Sequence, residues 1–286
     1  MHPRSLLLPI AAILTGMFSI QFGASLAKGL FPLMGALGAS TLRLVLAAAL
    51  LAVVFRPWRG PSLAGHRGAL LGYGASLGFM NLFYYLALAR IPMGIVVAIE
   101  FLGPLAVAIA HSHRPVDFLW ALLAVIGLVL LLPLGADAVR LDPVGLGCAL
   151  LAGVGWGTYI VFGTRAGMGQ GEGVRSVALG MLIAAAVVLP VGAAASGAAM
   201  LNVALLPLGL AVAVLSSALP YVLEMYAMMR MPTRAFGIFM SIEPAIAALF
   251  GFALLGERLT PLQCTAIGCV MIASFGSALS STRTAA

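Results

Sequence analysis

Long apolar stretches make up most of the chain, and single charges or small groups of them act as punctuation between the stretches. A helix needs about 20 apolar residues to cross a ~30 Å hydrocarbon core. Uncharged runs reach or approach that length at 5–27, 68–89, 118–134, 143–164 and 259–282. The 48 uncharged residues of 176–223 hold two helices, divided at the turn-prone segment from Ser196-Gly197 to Asn202. Three further apolar segments carry internal charge: 39–55 with Arg43, 92–110 with Glu100, and 233–255 with Arg234 and Glu243. The pattern predicts an all-α membrane protein of ten transmembrane helices with short connections. The first run follows Arg4 and mimics a secretory leader. At 23 residues it exceeds the apolar core of about 7–15 that a leader carries, so it is expected to stay as the first span.

Composition narrows the choice. Hydrophobic residues are 63% of the 286 and charged residues 8%, against roughly 25% charged in a soluble domain. That charge cannot cover a water-facing surface, and the apolar content excludes disorder. The net charge of +7 does not point to nucleic acid, because the arginines are scattered between apolar runs without interleaved aromatics. With both termini cytoplasmic, the inner loops hold ten Lys+Arg and the outer loops four (Lys28, Arg90, Arg140, Arg258), the asymmetry expected of inner loops. Cys148, Cys264 and Cys269 lie in apolar stretches without metal-ligand or disulfide spacing and read as small buried hydrophobes.

The two halves repeat. Adding 140 to Ser76, Ala87, Arg90, Pro92, Pro104 and Asp117 gives Ser216, Ala227, Arg230, Pro232, Pro244 and Glu257. Earlier in each half the offset is 137, pairing Gly16, Lys28 and the triple alanine at 47–49 with Gly153, Arg165 and 184–186. Five helices per repeat is an odd number, so the second copy enters the membrane from the opposite face. The expected architecture is two inverted five-helix repeats, 5–134 and 143–282, with a substrate held between them.

An ionisable residue near a helix centre costs roughly 2.5–3.5 kcal/mol on insertion scales, which makes such residues candidates for function. Lys28, Arg43, Glu100, Glu224 and Glu243 qualify. Lys28 can instead snorkel to the outer interface, and Arg43, five residues into the predicted second helix, is close enough to that surface for a structural role. Glu100 and Glu243 have no acidic counterpart in the other repeat, which favours function over scaffolding. Ser217, Tyr221 and Glu224 share one helix face, as do Leu77, Asn81 and Tyr84, and Gln21, Ser25 and Lys28. Lipid offers these faces no hydrogen bonds, so they point to a wet cavity or to helix–helix contacts. Pro104 and Pro244 interrupt their helices, as at transporter sites or at simple packing kinks.

No catalytic residue is expected. His2, His66, His111 and His113 fall at the terminus or in loops, and no HExxH, GxSxG or Walker A pattern occurs. Without an ATP-binding or metal motif, no cofactor is expected and an ion or solute gradient must drive any transport.

The spacing Pro-x11-Pro-x12-(Glu/Asp) at the end of each half resembles the drug/metabolite transporter superfamily with its paired EamA domains, over essentially the whole chain. Segments around the charged positions are similar to the branch of bacterial inner-membrane threonine and homoserine exporters. They include Gly23-Ala-Ser-Leu-Ala-Lys28, Leu42-Arg43-Leu, Glu100-Phe-Leu-Gly-Pro, Arg114-Pro-Val-Asp-Phe, Leu223-Glu-Met and Ile242-Glu-Pro-Ala. The superfamily's first-helix Trp-Gly appears only in the second copy, as Trp156-Gly157. The resemblance implies export of small neutral amino acids across the inner membrane in exchange for protons, and no enzymatic activity. A zwitterion needs a cation and an anion, so Lys28 or Arg43 is the candidate for its carboxylate, Glu224 or Glu243 for its ammonium, and Glu100 for the coupling proton. The alternatives are a broad exporter of metabolites and drugs, using Tyr84, Tyr85, Tyr159 and Tyr221 to hold cations, and a structural membrane subunit. Monomer and homodimer are equally compatible with the sequence.

Overall fold

A computed structural model describes residues 4–59, 67–110, 115–131, 141–165, 173–231 and 233–280. The four histidines lie outside the described residues, as do Arg114, Arg140, Pro232 and the ends of both predicted repeats. Among the described residues the regular structure is entirely helical: α1 (Arg4–Lys28), α2 (Phe31–Phe55), α3 (Arg67–Leu88), α4 (Met93–Glu100), α5 (Leu102–Ala110), α6 (Pro115–Leu131), α7 (Pro143–Arg165), α8 (Gly173–Ser196), α9 (Leu206–Ala213), α10 (Leu219–Met228), α11 (Thr233–Met240), α12 (Glu243–Leu255) and α13 (Pro261–Ser280). Eight of the helical segments are long and apolar enough to cross a membrane. α6, at 17 residues, is shorter, and α3 is long enough but made more polar by Tyr73, Ser76, Asn81, Tyr84 and Tyr85. The protein is a multi-pass membrane protein.

Helix interruptions follow from residue chemistry. α2 starts at Phe31, eight residues before the predicted start, and continues through a kink at Gly35, whose φ of +72° suits only glycine. This corrects the placement of Arg43: it is the thirteenth residue of α2 and only 2% exposed, too deep for the outer interface. The helix of 92–110 breaks at Phe101 and that of 233–255 at Ser241-Ile242. Pro104 and Pro244 lie just past these breaks, in the first turn of α5 and α12, where a missing N–H is tolerated. The junction before α9 falls where the turn-forming residues place it. α8 ends at Ser196, Gly197 takes a φ of +53°, and the Asn202 side chain caps the Ala204 N–H at 3.0 Å. Between α9 and α10, a π-helical turn spans Val214–Ala218.

The helices pack as α3 on α7, α2 on α8, α1 on α10, α4 on α12 and α6 on α13. Lipid supplies no hydrophobic drive between helices, so close approach depends on small residues. Gly23 of α1 shows this: a Cβ there would lie 2.7 Å from the Ser216 nitrogen in the π turn. Large apolar side chains face outward instead, and α6 alone presents Phe118, Leu119, Leu122 and Val125. The cysteines split correspondingly. Cys148 is buried as expected, but Cys269 is half-buried and Cys264 exposed, because α13 turns part of its apolar surface outward.

Candidate functional site

A void lies between the two halves, lined by α1, α2, α3, α4, α7, α10, α11 and α12. It offers about 60 Å³ to the centres of water molecules, and one water needs roughly 10–15 Å³ on that measure, so a handful of waters or one small solute fits. Gln21, Arg43, Asn81, Tyr84, Glu100, Tyr159, Tyr221, Glu224 and Glu243 supply its polar wall. Seven of the eight candidate binding or coupling residues therefore meet in one place. Lys28 does not line the void. Its Nζ lies 2.7 Å from Glu257 Oε1, and Glu257 Oε2 accepts the Met93 N–H at 2.8 Å, tying the ends of α1, α4 and α12 together.

Arg43 is the cation of the void. Its Nη1 donates to the Ser216 carbonyl at 2.9 Å and to Ser216 Oγ at 3.2 Å, and its Nη2 donates to Asn81 Oδ1. The Tyr85 ring lies 4.5 Å from the guanidinium carbon, so this tyrosine stacks on a cation of the protein itself. Asn81 is fixed in turn, its Nδ2 donating to Leu77 O at 2.8 Å and to the Tyr221 hydroxyl at 3.4 Å. The guanidinium meets neutral acceptors throughout, and its Nε–H is buried without a partner.

Glu243 opens α12, where the positive end of the helix dipole favours a carboxylate. Its Oε1 accepts from Gln21 Nε2 at 3.0 Å, while Glu243 Oε2 and Gln21 Oε1 are both buried without donors. Glu100 closes α4 at the break before Pro104, and its carbonyl, which Pro104 cannot reach with an N–H, abuts Gly153 of α7. Neither the Lys28–Glu257 nor the Arg90–Asp142 ion pair involves Glu100, Glu224 or Glu243. Buried polar groups normally have partners, and an orphan in a native structure calls for an explanation. Among the described residues the orphaned side-chain atoms are Gln21 Oε1, Arg43 Nε, Tyr85 OH, Ser217 Oγ and Glu243 Oε2; Gln21, Arg43 and Glu243 line the void, and Tyr85 packs on Arg43. Gln21 as a partner of Glu243, and Ser216 as the seat of Arg43, are not evident from the sequence. The one sequence signal for Ser216 is Pro220, four residues on.

The EamA-like transporter family matches the chain over residues 143–279. Over 272 residues the chain is 53% identical to the threonine/homoserine exporter RhtA of Escherichia coli (strain K12), covering 95% of this chain and 92% of that protein. The protein of the same name from Salmonella typhimurium (strain LT2) matches with the same identity and coverage. These relatives are named as exporters, not enzymes. A crystal structure 20% identical in sequence superposes with a TM-score of 0.59 over 100% of both chains, a likeness of fold alone. By sequence and architecture, the chain belongs to the EamA-like transporter family.

Proposed function

We propose that this protein exports threonine, homoserine and related small neutral amino acids across the bacterial inner membrane in exchange for protons. The observation that carries the reading is the pairing of orphans in one void: a buried guanidinium N–H without an acceptor, and two buried oxygens, Gln21 Oε1 and Glu243 Oε2, without donors. A zwitterion satisfies both. Its carboxylate takes Arg43 Nε–H, and its ammonium takes Glu243 and Gln21. The Tyr221 hydroxyl lines the void and suits a hydroxylated side chain. The void's small size favours such solutes over bulky drugs. Glu100, Glu224 and Glu243 set three carboxyl groups against one guanidinium. Ammonium or protons must balance the surplus, so a substrate leaving outward and protons entering exchange for one another.

The packing supports ten spans in two inverted repeats, 5–134 and 143–282, in which α4 with α5, α9 with α10, and α11 with α12 each form one broken span. Exchanging each span for its repeat mate turns the α3–α7 contact into that of α9–α10 with α1, and leaves α2–α8, α6–α13 and the contact between the α4–α5 and α11–α12 spans unchanged, as a pseudo-two-fold axis requires. Both termini are cytoplasmic on the charge asymmetry of the loops. The test is counterflow of labelled threonine and homoserine into liposomes holding the purified protein alone, with and without an imposed pH gradient. Substrate-specific counterflow accelerated by the gradient is expected. An inert protein would return the structural-subunit reading, and protection of cells against lipophilic cations without homoserine counterflow would return the drug-exporter reading.

A further inference from the structure

The π turn at Val214–Ala218 leaves two carbonyls in the membrane without backbone donors, for two separate reasons. The Leu219 N–H reaches back five residues to Val214 O, so on return to α-helical spacing one carbonyl is skipped. The next donor is missing altogether, because residue 220 is proline. The two carbonyls are those of Leu215 and Ser216, and each is taken by a side chain from another helix. Ser19 Oγ of α1 donates to Leu215 O at 2.6 Å, and Arg43 Nη1 of α2 donates to Ser216 O at 2.9 Å. Ser216 Oγ is itself oriented, donating to Val212 O at 2.7 Å while it accepts from Arg43.

The other repeat supplies an internal control. The positions matching Ser216 and Pro220 are Ser76 and Met80, and the position matching Arg43 is Gly180. At the symmetry-related site the α3 segment of Ser76 and Met80, with no proline to withhold a backbone donor, faces Gly180 of α8 rather than an arginine, and the Tyr73 ring packs against that glycine. Proline and arginine are present together at one of the two symmetry-related sites and absent together at the other.

We propose that Pro220 is a positioning residue for the substrate-carboxylate site: by withholding a backbone donor it dedicates the Ser216 carbonyl to Arg43, which anchors Nη1 and keeps Nε–H available to substrate. The role rests on the reading of Arg43 as the carboxylate anchor. It differs from a kink, because its effect passes through a single guanidinium. Replacement by alanine restores an N–H that competes with Arg43 for the freed carbonyls.

The experiment has two arms. In liposome counterflow of labelled threonine, Pro220→Ala should raise KM about tenfold, the order expected when a charge-assisted hydrogen bond is weakened, with Vmax nearly unchanged. Pro190→Ala, at an exposed proline inside α8, should change neither. An unchanged KM in Pro220→Ala, or the same rise in Pro190→Ala, overturns the proposal. The second arm needs no transport. Arg43→Ala orphans the Ser216 carbonyl and lowers Tm in detergent, and adding Pro220→Ala should restore part of the loss by supplying a backbone donor. Absence of rescue overturns the positioning role even if Pro220→Ala alone misfolds. Arg43→Lys separates the two claims: an unchanged threonine KM there refutes the carboxylate anchor itself, while the rescue still reports whether Pro220 governs the Ser216–Arg43 bond.

Discussion

Glu243→Gln separates a substrate ligand from a structural group, because the two roles give opposite signs. The substitution keeps the side chain's shape and its contact with Gln21, now 3.0 Å from Nε2 to Oε1, and removes only the carboxylate. In the folded protein that carboxylate is 5% exposed, with Oε2 lacking any donor. A buried charge left unpaired costs stability, so neutralising it should leave Tm unchanged or raise it. For a bound amino acid the balance reverses. The ammonium loses a charge-assisted hydrogen bond worth about 1.5–3 kcal/mol, which corresponds to roughly a 10- to 150-fold weaker affinity. The assay is the threonine KM from counterflow alongside the thermal melt of the same preparation in detergent. A KM within about twofold of the parent would refute the ammonium role on that arithmetic. A raised KM with a Tm lower by several degrees would show Glu243 to be structural.

Three other measurements test the frame around the void. Glu257 holds both Lys28 Nζ and the Met93 N–H, so Glu257→Ala should destabilise by about 1–3 kcal/mol, whereas Lys28→Met, which removes only the partly exposed ion pair, should cost no more than about 1 kcal/mol; equal losses in denaturant titrations would contradict this. Gly103→Ala drives a Cβ into the Gly153 carbonyl of α7 beside the break at Phe101 and should cost about 1–3 kcal/mol or prevent folding, while Gly147→Ala, which meets open space, should be neutral or stabilise by up to about 1 kcal/mol. Outside the membrane, the hydrogen bond from Arg90 to Asp142 at 2.9 Å, reinforced by the Val144 N–H, holds the Asp142 carboxyl below its ordinary 3.8. A depressed folded-state value stabilises above 3.8 and is lost as pH falls through the lower value, so Asp142→Asn should shift Tm equally at every pH above about 5 and converge with the parent in stronger acid.

The membrane class and most helix positions are legible in the sequence, because a charge inside a lipid-facing stretch is costly enough to be rare, and its absence over about 20 residues is a strong signal. The start of α2 is not legible in that way. Phe31-Pro32 reads as a loop ending, and the chain resolves it by kinking at Gly35 and continuing as one helix. That shift of eight residues moves Arg43 from an interface position to the wall of the void. The polar stripes fared better, since a helix face with no lipid-compatible partner has only the interior to turn to: Gln21, Asn81, Tyr84, Tyr221 and Glu224 all reach the void.

What periodicity cannot convey is which polar groups meet, because Arg43 and Ser216 are 173 residues apart and Gln21 and Glu243 are 222 apart. Covalent chemistry leaves one trace of such a meeting. A proline inside an apolar helix declares, from sequence alone, that a carbonyl upstream needs a donor from elsewhere, and in a chain with 8% charged residues the possible donors are few. Pro104 sends the Glu100 carbonyl to the glycine surface of α7, where backbones touch, whereas Pro220 sends the Ser216 carbonyl to Arg43. Proline thus closes a helix contact at one break and seats a charge at another, and the second has no counterpart at Met80 in the other repeat. Inequality of this kind is what two matching halves need if the void between them is to hold a molecule whose two ends carry opposite charge.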